Sequence, residues 1–309
     1  AFAKALLERQ TYPDLRDAAG RPVAPYDVTA HTLPLLMGVE AEPVHTPVRV
    51  EGVSGFTGVL TAPARPGPTS PPRVGLYKSH VPSMDEGWTR WVLEQKKLGY
   101  SSLSDAEARR GNLRAKFDAI IIPDQSPRAI LDGHRKGSMP EELTGGLGKE
   151  GVEALREFVE RGGTLVALNE ASKFAVEQLS LPVRDVTAGL RRTEFYCPGS
   201  ILRTVLDTSH PLAKGMPRQS VAWVEDSPVF EIKSDPLALV RVKIVARYPD
   251  AGTPLLSGWL LGAERLRGKA ALVEVGLGEG RVYLFGFRPQ YRAQSLATYP
   301  LLFNALAGG

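Results

Sequence analysis

The sequence predicts an α/β fold: a doubly wound, mostly parallel sheet covered by helices on both faces, with an added β-rich C-terminal portion. Three observations predict it. Short apolar runs alternate with helical segments between residues 74 and 178. Some of those runs, such as residues 119–122, are apolar at every position, as in strands covered on both faces. The last third of the chain holds paired strand patterns instead. Alternation of strand and helix is typical of parallel sheets.

The first elements follow a proline-rich stretch. Residues 74–77 form a short apolar run that predicts a strand, and residues 87–98 have a helical pattern. A second strand is expected at 100–103. The run at 119–122 is mostly β-branched and is ended by Pro123. These patterns predict one strand–helix–strand unit followed by a further buried strand.

The clearest helix covers residues 149–161. Val152, Leu155 and Phe158 fall on one face at a spacing of three residues, which is the pattern of an amphipathic helix. Gly162 ends it, as glycine does at helix C-termini. Residues 164–168 then predict another buried strand, followed by Asn169 and a short helix.

The last third is predicted to be rich in strands. Residues 269–275 and 281–287 flank the glycine-rich stretch 276–280, which indicates a hairpin. The final helix is expected over residues 295–307.

Five prolines between residues 63 and 72 predict an extended linker. The predicted organisation is therefore an N-terminal segment over 1–62, a linker over 63–72 and the α/β domain over 73–309. Within the first segment we expect a short helix over residues 1–10 and short strands at 48–51 and 58–61. The chain opens in a helical pattern without an initiator Met, which predicts that it was cut from a longer precursor or made as a fragment.

Composition excludes several classes of function. The 38 basic and 34 acidic residues are interspersed and give a net charge of +4, so no basic stripe indicates a nucleic-acid partner. No apolar run reaches the roughly 18 residues that a membrane span needs. The single cysteine, Cys197, excludes an internal disulfide and a cysteine-rich metal site.

Polar side chains follow the predicted parallel strands at their carboxyl ends. Ligands of open parallel sheets bind beyond those ends, so these residues form the default candidate ligand site. The loop after the first strand adds two carboxylates. The candidate rim consists of His80, Asp85, Glu86, Asp124, Asn169 and Glu170.

Each of these residues also has a structural interpretation. Ser83 or Asp85 is favoured as the cap of the following helix, and Asp124 is a natural turn residue after a proline. His80 needs partners before it can act as a base. Trp88 and Trp91 are three residues apart and are expected in the core. Carbohydrate binding through the four tryptophans is a further alternative, although they form no visible ladder.

The nucleophilic centre of a hydrolase is missing. Flavodoxin-like hydrolases and amidotransferases place a cysteine or serine on the sharp turn after such a strand. Here that turn carries Asn169 and Glu170, while Ser172 is expected inside the helix and Cys197 is expected to be a buried structural thiol. The five histidines lack the close spacing of a zinc site. The glycine-rich residues 144–148 are interpreted as a helix-entry loop in preference to an anion cradle.

Several long motifs resemble the region that follows the peptidase domain in large bacterial zinc carboxypeptidases of the carboxypeptidase A superfamily. In that family the region is similar to a class I glutamine-amidotransferase-like, flavodoxin-like domain. The similarity extends over nearly the whole chain. The motifs are YPDLR at 12–16, PYDVTAHTLP at 25–34, MGV at 37–39, SMDEGWTRW at 83–91, FYCPGS at 195–200, SHPLA at 209–213, GMP at 215–217 and FGFRPQ at 285–290.

The resemblance implies an accessory role. The zinc ligands and the catalytic glutamate of that family belong to the upstream domain, so this chain is expected to hold no catalytic residue and no cofactor. An extracellular or periplasmic parent protein is implied. The expected partners are the upstream peptidase domain and a peptide or small-molecule ligand; a second copy of the chain stays open as a partner. The alternative is an autonomous amidotransferase-like hydrolase that uses Glu170, Asp85 or Glu86 with His80.

Overall fold

A parallel half-sheet organises the molecule. The computed structural model describes residues 6–26, 28–41, 71–233 and 241–308. Within them, five parallel strands lie in the order β2-β1-β3-β4-β12. With β12 counted as the fifth strand this is the flavodoxin-like order 2-1-3-4-5, which confirms the predicted α/β class. The strands are β1 (Val74–Lys78), β2 (Tyr100–Ser104), β3 (Ala119–Ile122), β4 (Thr164–Leu168) and β12 (Gly280–Phe285).

The apolar runs form strands because both faces of the half-sheet are covered. Successive side chains of a strand point to opposite faces. Ile120 and Ile122 belong to one core, and Ile121 belongs to the core on the other face. A polar residue on either face would therefore be buried, which is why the runs show no alternation.

Helices pack on both faces. Leu93 of α2 (Met84–Gln95) and Leu301 of α8 (Tyr299–Leu306) lie in the core that contains Ile121. Leu155 of α6 and Phe174 of α7 lie in the opposite core. The helices are α1 (Leu33–Met37), α2 (Met84–Gln95), α3 (Asp105–Arg109), α4 (Leu113–Lys116), α5 (Pro127–Leu131), α6 (Gly148–Glu160), α7 (Glu170–Gln178) and α8 (Tyr299–Leu306). Among the described residues, no helix combines the length and apolarity needed to cross a bilayer.

An antiparallel half extends the sheet from β12. The order continues as β12-β11-β9-β6-β10, with β7 paired to β6, β8 to β11 and β5 to β8. These strands lie in the chain between α7 and β12, so they form an insertion before the fifth parallel strand. The predicted hairpin joins β11 to β12, and the predicted β-rich portion is present. The added strands are β5 (Val183–Asp185), β6 (Pro198–Leu206), β7 (Gln219–Glu225), β8 (Phe230–Ile232), β9 (Val242–Arg247), β10 (Leu255–Ser257) and β11 (Ala270–Leu277).

The described part of the N-terminal segment packs on this insertion. The Gln10 backbone N–H donates to Ser257 Oγ over 2.9 Å, and the Ala30 N–H donates to the Gly199 carbonyl over 3.0 Å. Leu36 is buried in a small core with Trp223. The strands predicted at 48–51 and 58–61, and most of the predicted linker, lie outside the described residues, so the domain boundaries stay a prediction.

Two expectations about side chains and bounds were wrong. Trp88 and Trp91 are 37% and 44% exposed, because the buried residues of α2 are Asp85, Thr89, Val92 and Leu93 instead. The final helix begins at Tyr299, and residues 296–298 form a separate 3₁₀ turn before it.

Candidate functional site

The turn between β4 and α7 places Asn169 in a strained conformation. Its backbone has φ 51° and ψ −117°, a combination that costs a side-chain-bearing residue free energy. Its N–H donates to the Phe285 carbonyl over 2.9 Å, so the turn continues the pairing of β4 with β12. The side chain is fully buried. We call this sharp strand-to-helix turn the elbow. Asn169 therefore occupies the position at which hydrolases with such a turn hold their nucleophile.

Asp124 ties this turn to the loop after β3. Asn169 Nδ2 donates to Asp124 Oδ1 over 3.0 Å, and the Glu170 backbone N–H donates to the same oxygen over 3.0 Å. Asn169 Nδ2 also lies 3.5 Å from the Glu225 carbonyl oxygen. The carboxyl ends of two neighbouring parallel strands are thus joined through one carboxylate oxygen.

Arg288 neutralises the other oxygen of that carboxylate. Its Nη2 lies 2.6 Å from Asp124 Oδ2 and its Nη1 lies 2.7 Å from Glu225 Oε2. Burial lowers the pKa of Arg288, but the carboxylates of Asp124, Asp85 and Glu225 outweigh it and hold the pKa above its ordinary value. The guanidinium therefore stays charged and bridges two acidic residues. Sequence reasoning did not place Arg288 in the site, although it belongs to the FGFRPQ motif at the end of β12.

Asp85 lies beneath this ion pair and is buried. Its Oδ2 accepts from Gln290 Nε2 over 2.9 Å and from the Asp124 backbone N–H over 3.3 Å. Burial, followed by the charge of Asp124, raises the pKa of Asp85 to about 6, while Arg288 and Gln290 oppose the rise. The sequence did not indicate Gln290 as a site residue either. Its Nε2 reaches Thr89 Oγ1 over 2.7 Å, which fixes it against α2.

We call the set formed by Asp85, Asp124, Asn169, Arg288 and Glu225 the elbow network. Two buried side-chain oxygens have no hydrogen-bond partner among the described atoms: Asn169 Oδ1 in the network and Gln290 Oε1 next to it. Arg288 Nε is also buried without a partner among the described atoms. The carboxylates of Asp85 and Asp124 accept hydrogen bonds from side-chain amides and backbone N–H groups. Those of Asp124 and Glu225 pair with the Arg288 guanidinium.

The other predicted rim residues do not join the elbow network through their side chains. Glu86 pairs with Arg90 one turn along α2, and Glu170 pairs with Lys173 over 3.0 Å. Among the described residues, the ring of His80 has no hydrogen bond or ion pair with a carboxylate. The structure thus brings together Asp85, Asp124 and Asn169, and it adds Glu170 through its backbone only.

His80 and Glu86 instead line a separate crevice of about 260 Å³. It lies between the loops that follow β1 and β3, where the strand order reverses, which is the position at which open α/β sheets bind ligands. Ser79 and Gln125 contribute polar groups to its wall. Gln125 Nε2 donates to the Val81 carbonyl over 2.9 Å, which fixes one loop against the other.

The two other nucleophile candidates of the sequence, Ser172 and Cys197, are bonded to carbonyl groups or buried. Ser172 Oγ lies 2.9 Å from the Ala167 carbonyl and 3.0 Å from the Phe285 carbonyl, inside α7. Cys197 is buried, as predicted, and burial raises the pKa of its thiol to about 12. Within the described ranges, no group of three or more histidine, cysteine or acidic side chains is placed to hold a metal ion.

Comparisons with known proteins give distant structural likenesses. No family model matches the sequence, and no curated protein matches it. A cytoplasmic protein from Salmonella typhimurium aligns with a TM-score of 0.45 and 13% identity over 76% of this chain and 97% of that one. A β-galactosidase from Bacillus circulans sp. alkalophilus aligns with a TM-score of 0.44 and 13% identity over 74% of this chain, which spans only 30% of that enzyme.

Glutamine-amidotransferase-like folds are among these neighbours. A glutamine amidotransferase from Thermotoga maritima aligns with a TM-score of 0.41 and 11% identity over 69% of this chain and 74% of that one. Because every one of these TM-scores is below 0.5, the likenesses carry no inference about activity. None of these neighbours is a carboxypeptidase.

Proposed function

We propose that this chain is a non-catalytic, ligand-binding module, and that it serves as an accessory domain of a secreted zinc carboxypeptidase-like protein. One observation carries the first part: the elbow position is held by Asn169, and its amide is bonded to Asp124 in the elbow network. A carboxamide is not one of the nucleophiles of covalent catalysis.

The chemistry around the elbow supports the same conclusion. A general base needs a free lone pair within reach of the proton that it abstracts. Asp124 directs one oxygen to Asn169 and Glu170 and the other to Arg288. Such a carboxylate holds the two loops together, because both of its oxygens are already bonded within the protein.

The crevice at the reversal of strand order is the proposed ligand site. Its volume of about 260 Å³ lies just below the range of typical small-molecule pockets, so it suits a compact ligand or one side chain of a peptide. His80, Ser79 and Gln125 supply polar groups on its wall, and Val81 and Pro123 supply apolar ones. This mixture fits a ligand that is partly apolar and carries a few hydrogen-bonding groups.

The accessory role rests on the resemblance of the motifs to zinc carboxypeptidases. It is tested by sequencing the source gene upstream of the codon for Ala1. A continuous reading frame with a His-x-x-Glu zinc site and a distant third histidine is the expected result. A frame that encodes no peptidase domain would contradict the accessory role and leave the non-catalytic module to be judged by assay.

The non-catalytic part is tested with a panel of amide, ester and glutamine substrates. We expect no turnover by the wild-type chain and an unchanged result for Asn169→Ala and Asp124→Asn. Turnover that either substitution abolishes would overturn the proposal. Arg184→Ala is the control, because Arg184 is exposed and pairs with Glu231, outside the elbow network.

The runner-up function is an autonomous hydrolase that uses a rim carboxylate with His80. Its support is the pKa of Asp85, about 6, which is in the range of a general acid or base. Against it, Asp85 is buried and bonded to Gln290. A turnover rate that falls with the ionisation of a group near pH 6 and is lost in both Asp85→Asn and His80→Ala would favour this function.

A further inference from the structure

A second, larger concavity lies beside the crevice. This groove has a volume of about 1250 Å³ and shares Val81 with the crevice. Its walls are the end of α3, helix α5, the loop 132–147 and the start of α6. Apart from Val81, its lining residues belong neither to the elbow network nor to the proposed ligand crevice.

The groove is locally basic in a chain of nearly balanced charge. Four cationic side chains line it, and two carboxylates face them. Over the whole chain the ratio is 38 basic to 34 acidic residues, so the groove concentrates positive charge. The cations are Arg109, Arg128, Arg135 and Lys136, and the acids are Asp132 and Glu150.

Two of these cations, Arg135 and Lys136, have no side-chain partner among the described residues, whereas the other two are engaged. Arg128 lies 4.0 Å from Asp132, and Arg109 donates to the Gly146 carbonyl. The side chains of Arg135 and Lys136 are exposed, and among the described residues they have no hydrogen bond or ion pair. An unpaired guanidinium keeps its planar set of donors free for a bidentate oxyanion.

The loop that carries these two residues is held tightly at its base. A Cβ on Gly133 would lie 1.9 Å from the Gly145 carbonyl oxygen, so only glycine permits the two strands of the loop to approach this closely. The Gly145 N–H donates to the His134 carbonyl over 2.8 Å. His134 Nε2 also lies 3.2 Å from the His80 carbonyl oxygen, which ties the loop to the segment after β1.

The tip of the loop is also ordered by its own bonds. Ser138 donates to the Arg135 carbonyl through its backbone N–H, over 3.1 Å, and through Oγ, over 2.7 Å. The backbone of the loop is therefore held in place, and the loop carries the two unpaired cations, Arg135 and Lys136. A site that is organised before binding loses little conformational entropy when its ligand arrives.

We propose that this groove binds an anionic ligand that carries two or more phosphate groups. Arg109 stands on the α3 wall and Arg135 on the loop, so the cations can meet separate anionic groups of one ligand. The volume of about 1250 Å³ exceeds what a single phosphate fills. Guanidinium and ammonium groups together suit phosphate oxygens, which accept several charge-assisted hydrogen bonds.

The test is calorimetric titration of the full chain with tripolyphosphate at low and at physiological salt. We expect saturable binding that weakens as salt rises. Replacing both Arg135 and Lys136 by Ala should weaken it about tenfold or more, because two charge-assisted contacts are lost. Citrate, a carboxylate anion of similar size, should bind several-fold more weakly than tripolyphosphate.

The control is the double variant Lys214→Ala with Arg218→Ala, which removes the same charge from exposed positions distant in the sequence. It should change the dissociation constant less than twofold. Equal losses in the two double variants, an absence of saturable heat, or citrate binding as tight as tripolyphosphate would each overturn the proposal. Thermal melts of all variants establish that the fold is retained.

Discussion

At the scale of single residues, Arg288 carries the organisation of the elbow network. It bridges Asp124 and Glu225, and it opposes the rise in the pKa of Asp85. Asp124 is itself almost buried, with 10% of its side chain exposed. A carboxylate in such a place is tolerated only while a cation and hydrogen bonds compensate it.

Removing that cation should be costly. Arg288→Ala leaves Asp124 without its ion pair, and we expect a loss of about 2–4 kcal/mol in the free energy of unfolding. Urea denaturation followed by circular dichroism measures it. Arg184→Ala, which breaks an ion pair whose arginine is 62% exposed, should cost less than about 1 kcal/mol. Equal small effects would show that Arg288 does not compensate a buried charge.

The raised pKa of Asp85 predicts that the stability of the fold falls as the pH rises, which is the reverse of the effect of a carboxylate whose pKa is lowered. Its folded pKa is raised from 3.8 to about 6, so the folded state binds more protons than the unfolded state between these values. The stability that Asp85 contributes is therefore complete below about pH 4 and is lost as the pH rises through 6. The loss amounts to at most ~3 kcal/mol.

Asp85→Asn isolates this effect, because an amide oxygen can still accept from Gln290. The difference in melting temperature, variant minus wild type, should grow from pH 4 to pH 7.5. Asp132→Asn, at a carboxylate that is 63% exposed, should show no such growth. A difference that is constant across this pH range would mean that Asp85 titrates as it does in the unfolded chain.

At the scale of elements, β3 and β4 position the site because they are central strands. Each is buried along its whole length, and the polar residues begin where the strands end. Asp124 and Asn169 follow them at the same edge, which is why two side chains 45 residues apart meet at 3.0 Å. A rigid strand pair holds the strained backbone of Asn169 in place.

A charge inside β3 should unfold the domain. Ile121→Asp buries an unpaired carboxylate in the core shared with α2 and α8, and we expect no cooperative thermal transition above room temperature. Ile121→Val is the matched control and should cost only about 0.5–1.5 kcal/mol. A melt of Ile121→Asp close to that of the wild type would contradict the core position of this strand.

At the scale of the whole molecule, the sequence indicated the strands β1, β3 and β4 because each is a compact apolar run. It also indicated Asp85, Asp124 and Asn169 as residues of one rim, since carboxyl ends of parallel strands share an edge. Arg288 and Gln290 were missed for a physical reason. They reach the rim through β12, which joins β4 only after a long antiparallel insertion, and no local periodicity reports such a pairing.

Helix periodicity also misplaced the two tryptophans of α2. Large apolar residues were assigned to the core, yet α2 buries Asp85 and Thr89, which bond to Gln290, together with Val92 and Leu93. The polar elbow network thus took the interior position that hydrophobicity alone would give to Trp88 and Trp91. Only the tertiary arrangement, with β12 beside β4, brings Gln290 into hydrogen-bonding distance of Asp85 and Thr89 on α2.

The elbow carries Asn169 and Glu170 and therefore holds no nucleophile. The most direct measurement is intact-mass spectrometry of the native chain after incubation with a fluorophosphonate, an iodoacetamide and a glutamine-like diazoketone. We predict an unmodified mass with all three reagents, and alkylation of Cys197 only after denaturation, because burial holds the pKa of its thiol at about 12. A stoichiometric adduct on the native chain, mapped to α7 or to the turn before it, would contradict the claim.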